Sequence, residues 1–196
     1  MTILSSGTPA LDVILARLPA GLREHLARAR DKAVELAAMH GADPFKAGLA
    51  ALSHDIARNM KGPDLLKMAK SYGLTPHPVE ERVMVLLHGR VGAEILQREC
   101  GIDDRDVLEA VRWHSTFNRG LGSVAKIAFL ADKLDHKKVS RYPFLERIER
   151  LAKDDLDVAV LSFLQEEMTA MMRDGKLIHP ASIDGRNELL ELQKSI

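Results

Sequence analysis

Residues 51–58, Ala51-Leu52-Ser53-His54-Asp55-Ile56-Ala57-Arg58 ("ALSHDIAR"), set two ionisable side chains side by side in what reads as the middle of an apolar helix. Asp43-Pro44 opens that helix, an N-cap followed by proline at the first helical position, and Ala47, Ala50 and Ala51 supply its apolar face. An imidazole or carboxylate carried into a core without a partner is strongly disfavoured. Either the pair is an accident of the surface or other parts of the chain hold it, and that choice decides what the remaining helices are for.

The same pattern recurs along the chain. His25, His88, His114 and Asp132 each fall within or at the edge of a predicted helix, beside apolar neighbours. The successive gaps, His25 to His54, His54 to His88, His88 to His114 and His114 to Asp132, are 29, 34, 26 and 18 residues. Such gaps exclude a local loop of the zinc-finger kind and fit ligands sent from separate helices into the core of a bundle. A cation there would be the partner these groups need and would lower the pKa of each ligand. Asp132 closes the run Ile127-Ala128-Phe129-Leu130-Ala131, where an unpaired acid is hardest to explain.

Working outward, the spacing predicts helices from Pro9 to about Leu18, about Ala20 to His40, Leu65 to Tyr72, about Arg90 to Cys100, one capped by Asp103 or Asp104 and running to His114, a strongly apolar one capped by Ser123, one opened by Pro143, and Asp154 to Asp174. Val79–Leu87 also reads as helical. Gly73–Pro78 and Phe117–Gly122 read as loops, and Asp135–Arg141 as a charged, exposed stretch. Aromatic residues are only 4% and no segment alternates with period two, so the fold class is all-α. With 196 residues, no repeat and no linker, residues 1–196 read as a single domain with a core of about 20–175 and short helical extensions at both ends.

Charge and cysteine content narrow the function. Lys plus Arg and Asp plus Glu stand at 28 each, so there is no global electrostatic case for DNA, RNA or an anionic membrane surface. No run approaches the roughly 18 apolar residues of a membrane span. The N-terminus has no signal-peptide pattern, and the single cysteine, Cys100, excludes an intramolecular disulfide, so the expected compartment is the cytoplasm.

The order His, His-Asp, Asp resembles the HD phosphohydrolase superfamily, whose ligands map onto His25, His54, Asp55 and Asp132. The segments "ELAAMHGAD", "ALSHDIAR", "LLHGRVGAEIL", "VLEAVRWHST", "KIAFLADKLD" and "DDLDVAV", spread from about Leu22 to Asn187, are similar to the bacterial YqeK-like symmetrical diadenosine tetraphosphate hydrolases. That resemblance implies a compact HD-domain helical bundle with a di-iron centre in its core and release of two ADP. It departs from the family at three places: Arg58 stands for a lysine, Leu134-Asp135-His136 for Ile-Glu-Pro, and Ser115-Thr116-Phe117 for Thr-Thr-Gly.

The resemblance assigns His25, His54, Asp55, His88, His114 and Asp132 to two transition-metal ions, iron first, with manganese or zinc as alternatives, and makes Asp55 the bridge. Asp55 and Arg58 are the candidate catalytic residues. Arg58, one helical turn beyond His54 and so expected on its face, leads the candidate contacts to an anionic nucleotide, with Lys61, Arg90, Thr116, Asn118, Lys133 and Arg141. Competing readings are an HD phosphohydrolase for a mononucleotide or cyclic dinucleotide, and a non-catalytic nucleotide-binding regulator. The assembly is left open between monomer and homodimer. His40 reads as a charge at a helix C-terminus, His77, His136 and His179 as surface, Trp113 as packing, and Met168, Met171 and Met172 as core.

Overall fold

A computed structural model describes residues 6–138 and 143–194, with the main chain alone at Lys138 and Lys194. Arg141 therefore lies outside the described residues. Among those residues the chain forms helices and no strand, in the order α1 (Pro9–Arg17), α2 (Ala20–Met39), α3 (Pro44–Ser53), α4 (Gly62–Ser71), α5 (Pro78–Arg82), α6 (Leu87–Cys100), α7 (Arg105–Trp113), α8 (Ser123–Lys133), α9 (Leu145–Asp154), α10 (Leu156–Arg173) and α11 (Pro180–Lys194). None of them is long and apolar enough to cross a membrane.

Helix starts are set by carboxylates that satisfy otherwise unbonded N–H groups. Asp43 accepts from Phe45 N and Lys46 N, Asp104 from Asp106 N and Val107 N, and Asp155 from Asp157 N and Val158 N. Ser123 opens α8 without capping it, because Gly122 holds the N-cap position.

At the centre lies α3, buried from Ala47 to Ser53 on every side and packed against α2, α7 and α8. Its small residues let those neighbours close in: a Cβ at Gly48 would lie 3.0 Å from Val34 Cγ2. The α6–α7 crossing is tighter still, since a Cβ at Gly89 would meet the carbonyl oxygens of Val111 and Arg112 at 2.9 Å. The remaining layer comes from α9 and α10, which pack on each other, on α2 and on α8, with α11 laid along α10.

Two local differences from the sequence-based expectation bear on the centre. First, α3 stops at Ser53, so His54 and Asp55 sit just beyond its end. Ser53 Oγ donates back to Leu49 O at 2.7 Å, a bond that competes with the regular ladder. The chain then continues in tight turns, with Ile56 N to Ser53 O (3.2 Å) and Arg58 N to Asp55 O (2.9 Å). Second, Val79–Leu87 is not one helix. It breaks at Val83 (φ −118°, ψ 64°) into α5 and a 3₁₀ turn at Met84–Leu86.

Candidate metal centre

Five helices deliver the donors to one place. His25 comes from the first half of α2, His54 and Asp55 from the turn after α3, His88 from the first turn of α6, His114 from the residue after α7, and Asp132 from the last turn of α8. All six are buried, at 9% exposure or less. They fall into two groups that share one residue: His25, His54 and Asp55, and Asp55, His88 and His114.

The histidine tautomers follow from their outer partners. Nδ1 of His54 meets Ala51 O at 2.7 Å, Nδ1 of His114 meets Val111 O at 2.8 Å, and Nδ1 of His88 meets Val85 O. A carbonyl only accepts, so each Nδ1 carries a proton, and in the neutral ring it is Nε2 that keeps the lone pair. His25 Nδ1 donates to Asp135 Oδ2 at 2.7 Å, with the same result. Four Nε2 lone pairs thus turn inward onto one another and onto two carboxylates.

The inward distances are those of neighbouring ligands on an ion. His88 Nε2 lies 2.9 Å from His114 Nε2 and 2.9 Å from Asp55 Oδ1. On the other side His25 Nε2 lies 3.1 Å from Asp132 Oδ1 and 3.3 Å from His54 Nε2. Ligands about 2.1 Å from one ion and at right angles to each other stand about 3 Å apart. Facing lone pairs and carboxylates repel each other unless a positive charge sits between them, so this donor set fits a metal ion.

Proton affinities express the same demand. Burial pulls the pKa of His54 down, but Asp55 and then Asp132 outweigh it and lift it to about 10. For His114 burial wins over the hydrogen bond to Asp55, and its pKa falls to about 4. Burial also pushes Asp55 up, yet His54 and the histidine hydrogen bonds hold it far below the ordinary carboxylate range.

A cavity of about 880 Å³ opens over the two groups. Asp55, His88, His114 and Asp132 form part of its wall, with Arg58, Ser115, Thr116 and Lys133. Arg58 reaches that wall from the turn after α3, exposed, and not from the helical face expected for it. Lys133 is buried and donates to Asp132 Oδ2 at 2.8 Å and to His114 O at 3.2 Å.

Three candidate contacts lie elsewhere. Lys61 is exposed at the start of α4, off the cavity wall. Arg90 is committed to Glu80 Oε2 (2.6 Å) and Thr75 O (3.2 Å), because a carboxylate only 2% exposed demands a cation. Asn118 turns its Oδ1 to Arg119 N at 2.9 Å.

The sequence reading also missed residues. Asp135 is buried, not exposed: it orients His25 and is itself held by Arg28, at 3.0 Å from Nε and 2.7 Å from Nη2. Burial pushes the Asp135 pKa up, but the hydrogen bonds from Arg28 and His25 hold it well below the ordinary carboxylate range. His179 is buried at 8% exposure and lines the cavity, where its Nδ1 caps α11 by accepting from Ala181 N. His77 likewise caps α5. Of the methionines, Met168 packs on the core, Met171 lines the cavity and Met172 is exposed at 64%. Arg173, the last residue of α10, and Lys176, three residues beyond it, also line the cavity, both paired with Asp174.

Comparison with known proteins bears on this arrangement. The family model described as "HD domain" matches residues 22–137. A protein of Halalkalibacterium halodurans named "Bis(5'-nucleosyl)-tetraphosphatase, symmetrical" is 31% identical over 94% of this chain and 97% of its own length. A Bacillus subtilis protein of the same name is 28% identical over 80% of this chain and 82% of its own. A crystal structure from Clostridium acetobutylicum, described as a predicted HD superfamily hydrolase involved in NAD metabolism, superposes with a TM-score of 0.88 at 26% identity, covering 97% of this chain and 99% of that one.

Proposed function

Since this chain belongs to the HD domain family, and within it to the group of the symmetrical bis(5'-nucleosyl)-tetraphosphatases, we propose that it hydrolyses diadenosine tetraphosphate to two ADP. The observation that supports this most is the position of Asp55. One carboxylate oxygen faces His88 and His114 and the other faces His54, so one side chain joins two donor groups under a cavity large enough for a nucleotide.

His25, His54, Asp55 and Asp132 would hold one ion, and Asp55, His88 and His114 a second. The imidazole-rich set suits iron, with manganese or zinc as alternatives, better than magnesium or calcium. When bound, such ions supply positive charge to the attacked phosphoryl group and acidify the attacking water.

The chain's own residues do the rest. Asp135 and the backbone carbonyls fix each imidazole so that Nε2 points inward. Lys133 offsets the charge of Asp132 without leaving the wall. Arg58 offers the polyphosphate a bidentate cation near the centre. Arg173 and Lys176, both paired with Asp174, line the same cavity. One water is consumed, the bridging bond between the second and third phosphorus atoms breaks, and each half leaves as ADP. The reading extends to one HD domain over residues 1–196 and to the cytoplasm, where a lone free cysteine such as Cys100 is ordinary.

The test is elemental analysis of the purified protein together with chromatography of diadenosine tetraphosphate incubated with it. Two ions per chain and ADP as sole product are expected. ATP plus AMP would overturn the symmetrical reading. Bound metal with no turnover would move the substrate to another nucleotide, and absence of metal after reconstitution would overturn the centre itself.

A further inference from the structure

The loop between α7 and α8 is held unusually firmly beside the second donor group. Phe117 has φ of 62°, the one non-glycine residue with positive φ among the described residues. Such strain persists only where the surroundings enforce it. Here the Phe117 ring is 1% exposed and packs on Phe129 at 5.2 Å, and its N–H donates to Trp113 O at 2.6 Å. Ser182 Oγ donates to Thr116 O at 2.5 Å. From the far side α11 presses in through Gly185, where a Cβ would stand 2.6 Å from Phe117 Cδ1 and 2.9 Å from Asn118 O.

What this bracing positions is Ser115. Its Oγ lies 3.2 Å from His88 Nε2 and 3.1 Å from His114 Nε2, and the residue lines the cavity. Both Nε2 atoms are lone pairs, and a hydroxyl has one proton, so Ser115 can satisfy only one of them. Once both lone pairs serve an ion, neither accepts, and the hydroxyl proton is left directed at whatever enters the cavity.

We propose that Ser115 is a further catalytic residue, its hydroxyl donating to a non-bridging phosphoryl oxygen of the nucleotide seated against His88 and His114. The proposal rests on the hydrolase reading above. A serine nucleophile activated by histidine would show similar distances. Both nitrogens, however, also face Asp55 Oδ1, at 2.9 and 3.3 Å, and a lone pair shared with an ion cannot take the serine proton.

The test compares Ser115→Ala and Ser115→Thr with the parent in three measurements: bound metal by elemental analysis, binding of inorganic pyrophosphate, and kcat and KM for diadenosine tetraphosphate. Ser115→Ala is expected to keep its metal, bind pyrophosphate about 10-fold more weakly and lose about 100-fold in kcat, as for a lost oxyanion donor. Ser115→Thr, which keeps a hydroxyl, is expected to recover most of both. Loss of metal in Ser115→Ala would make the oxygen a ligand and overturn the proposal, as would unchanged pyrophosphate binding. A parent protein that holds metal and pyrophosphate but leaves the dinucleotide intact would overturn the substrate reading alone, and the pyrophosphate comparison would still decide the role of Ser115.

Discussion

Asp135 Oδ2 accepts the Nδ1 proton of His25 at 2.7 Å, and the same oxygen takes Arg28 Nη2 at 2.7 Å. A cation on α2 thus fixes the carboxylate that fixes the imidazole. Outer partners of this kind typically account for 10- to 100-fold in metal affinity. Asp135→Ala should weaken binding at the His25 side by about that factor while leaving the His88–His114 side intact. A chelator competition titration would then show one weakened ion and one unchanged ion, where a purely structural role would weaken neither.

Asp55 serves both groups, whereas His88 serves one. His88→Ala should therefore bring bound metal down to about one ion per chain, and Asp55→Ala should bring it close to none. Both variants should keep the helical signal in circular dichroism, because the helices around them are built on apolar contacts. Equal metal content in the two variants would show that Asp55 does not bridge.

The helices were legible because their signals are local. Asp43-Pro44 and Gly101 announce their caps by residue type alone, Asp103 and Asp104 offer two candidates of which the structure uses Asp104, and the period of Leu and Ala positions does the rest. The six candidate donors were legible as ionisable groups stranded in apolar runs. Asp135 was not, because it follows the end of α8 inside a charged stretch, and only Arg28 and His25, more than 100 residues away, draw it inward. His179 looked like surface beside its proline for the same reason: its burial comes from α5 and the cavity wall. The end of α3 was missed because Ser53 is unremarkable in sequence, and its bond back to Leu49 O acts only once the helix exists.

Phe117 sets two effects against each other. Its left-handed backbone costs a residue with a Cβ roughly 1–2 kcal/mol, while its buried ring is worth about 3–5 kcal/mol against truncation to alanine. Phe117→Gly relieves the first, forfeits the second and adds a chain-entropy cost, so it should destabilise by about 3 kcal/mol. Phe117→Ala forfeits the ring and keeps the strain, so it should be the less stable of the two even though glycine also costs about 0.5–1 kcal/mol in chain entropy. Urea unfolding of both variants measures the order. An alanine variant more stable than the glycine one would mean that the strain at φ of 62° is smaller than the entropy cost of glycine.

His179 offers a pH dependence clear of the candidate metal donors. Burial lowers its pKa; Glu80 opposes, and His77 and Arg90 add to the lowering. Its folded value thus lies below the unfolded value near 6.5. As pH falls through about 6.5 the unfolded chain takes up the proton first, so stability is lost on the acid side, by at most about 1.4 kcal/mol per pH unit for one group. His179→Asn removes that titration and keeps a side-chain acceptor for Ala181 N, since asparagine is among the best N-caps. Urea midpoints measured from pH 7.5 to 5 should fall less steeply for His179→Asn than for the parent, the two proteins differing least at the alkaline end. Parallel curves would mean that His179 takes up its proton as readily in the folded chain as in the unfolded one, and that its burial against Glu80 imposes no cost on charge.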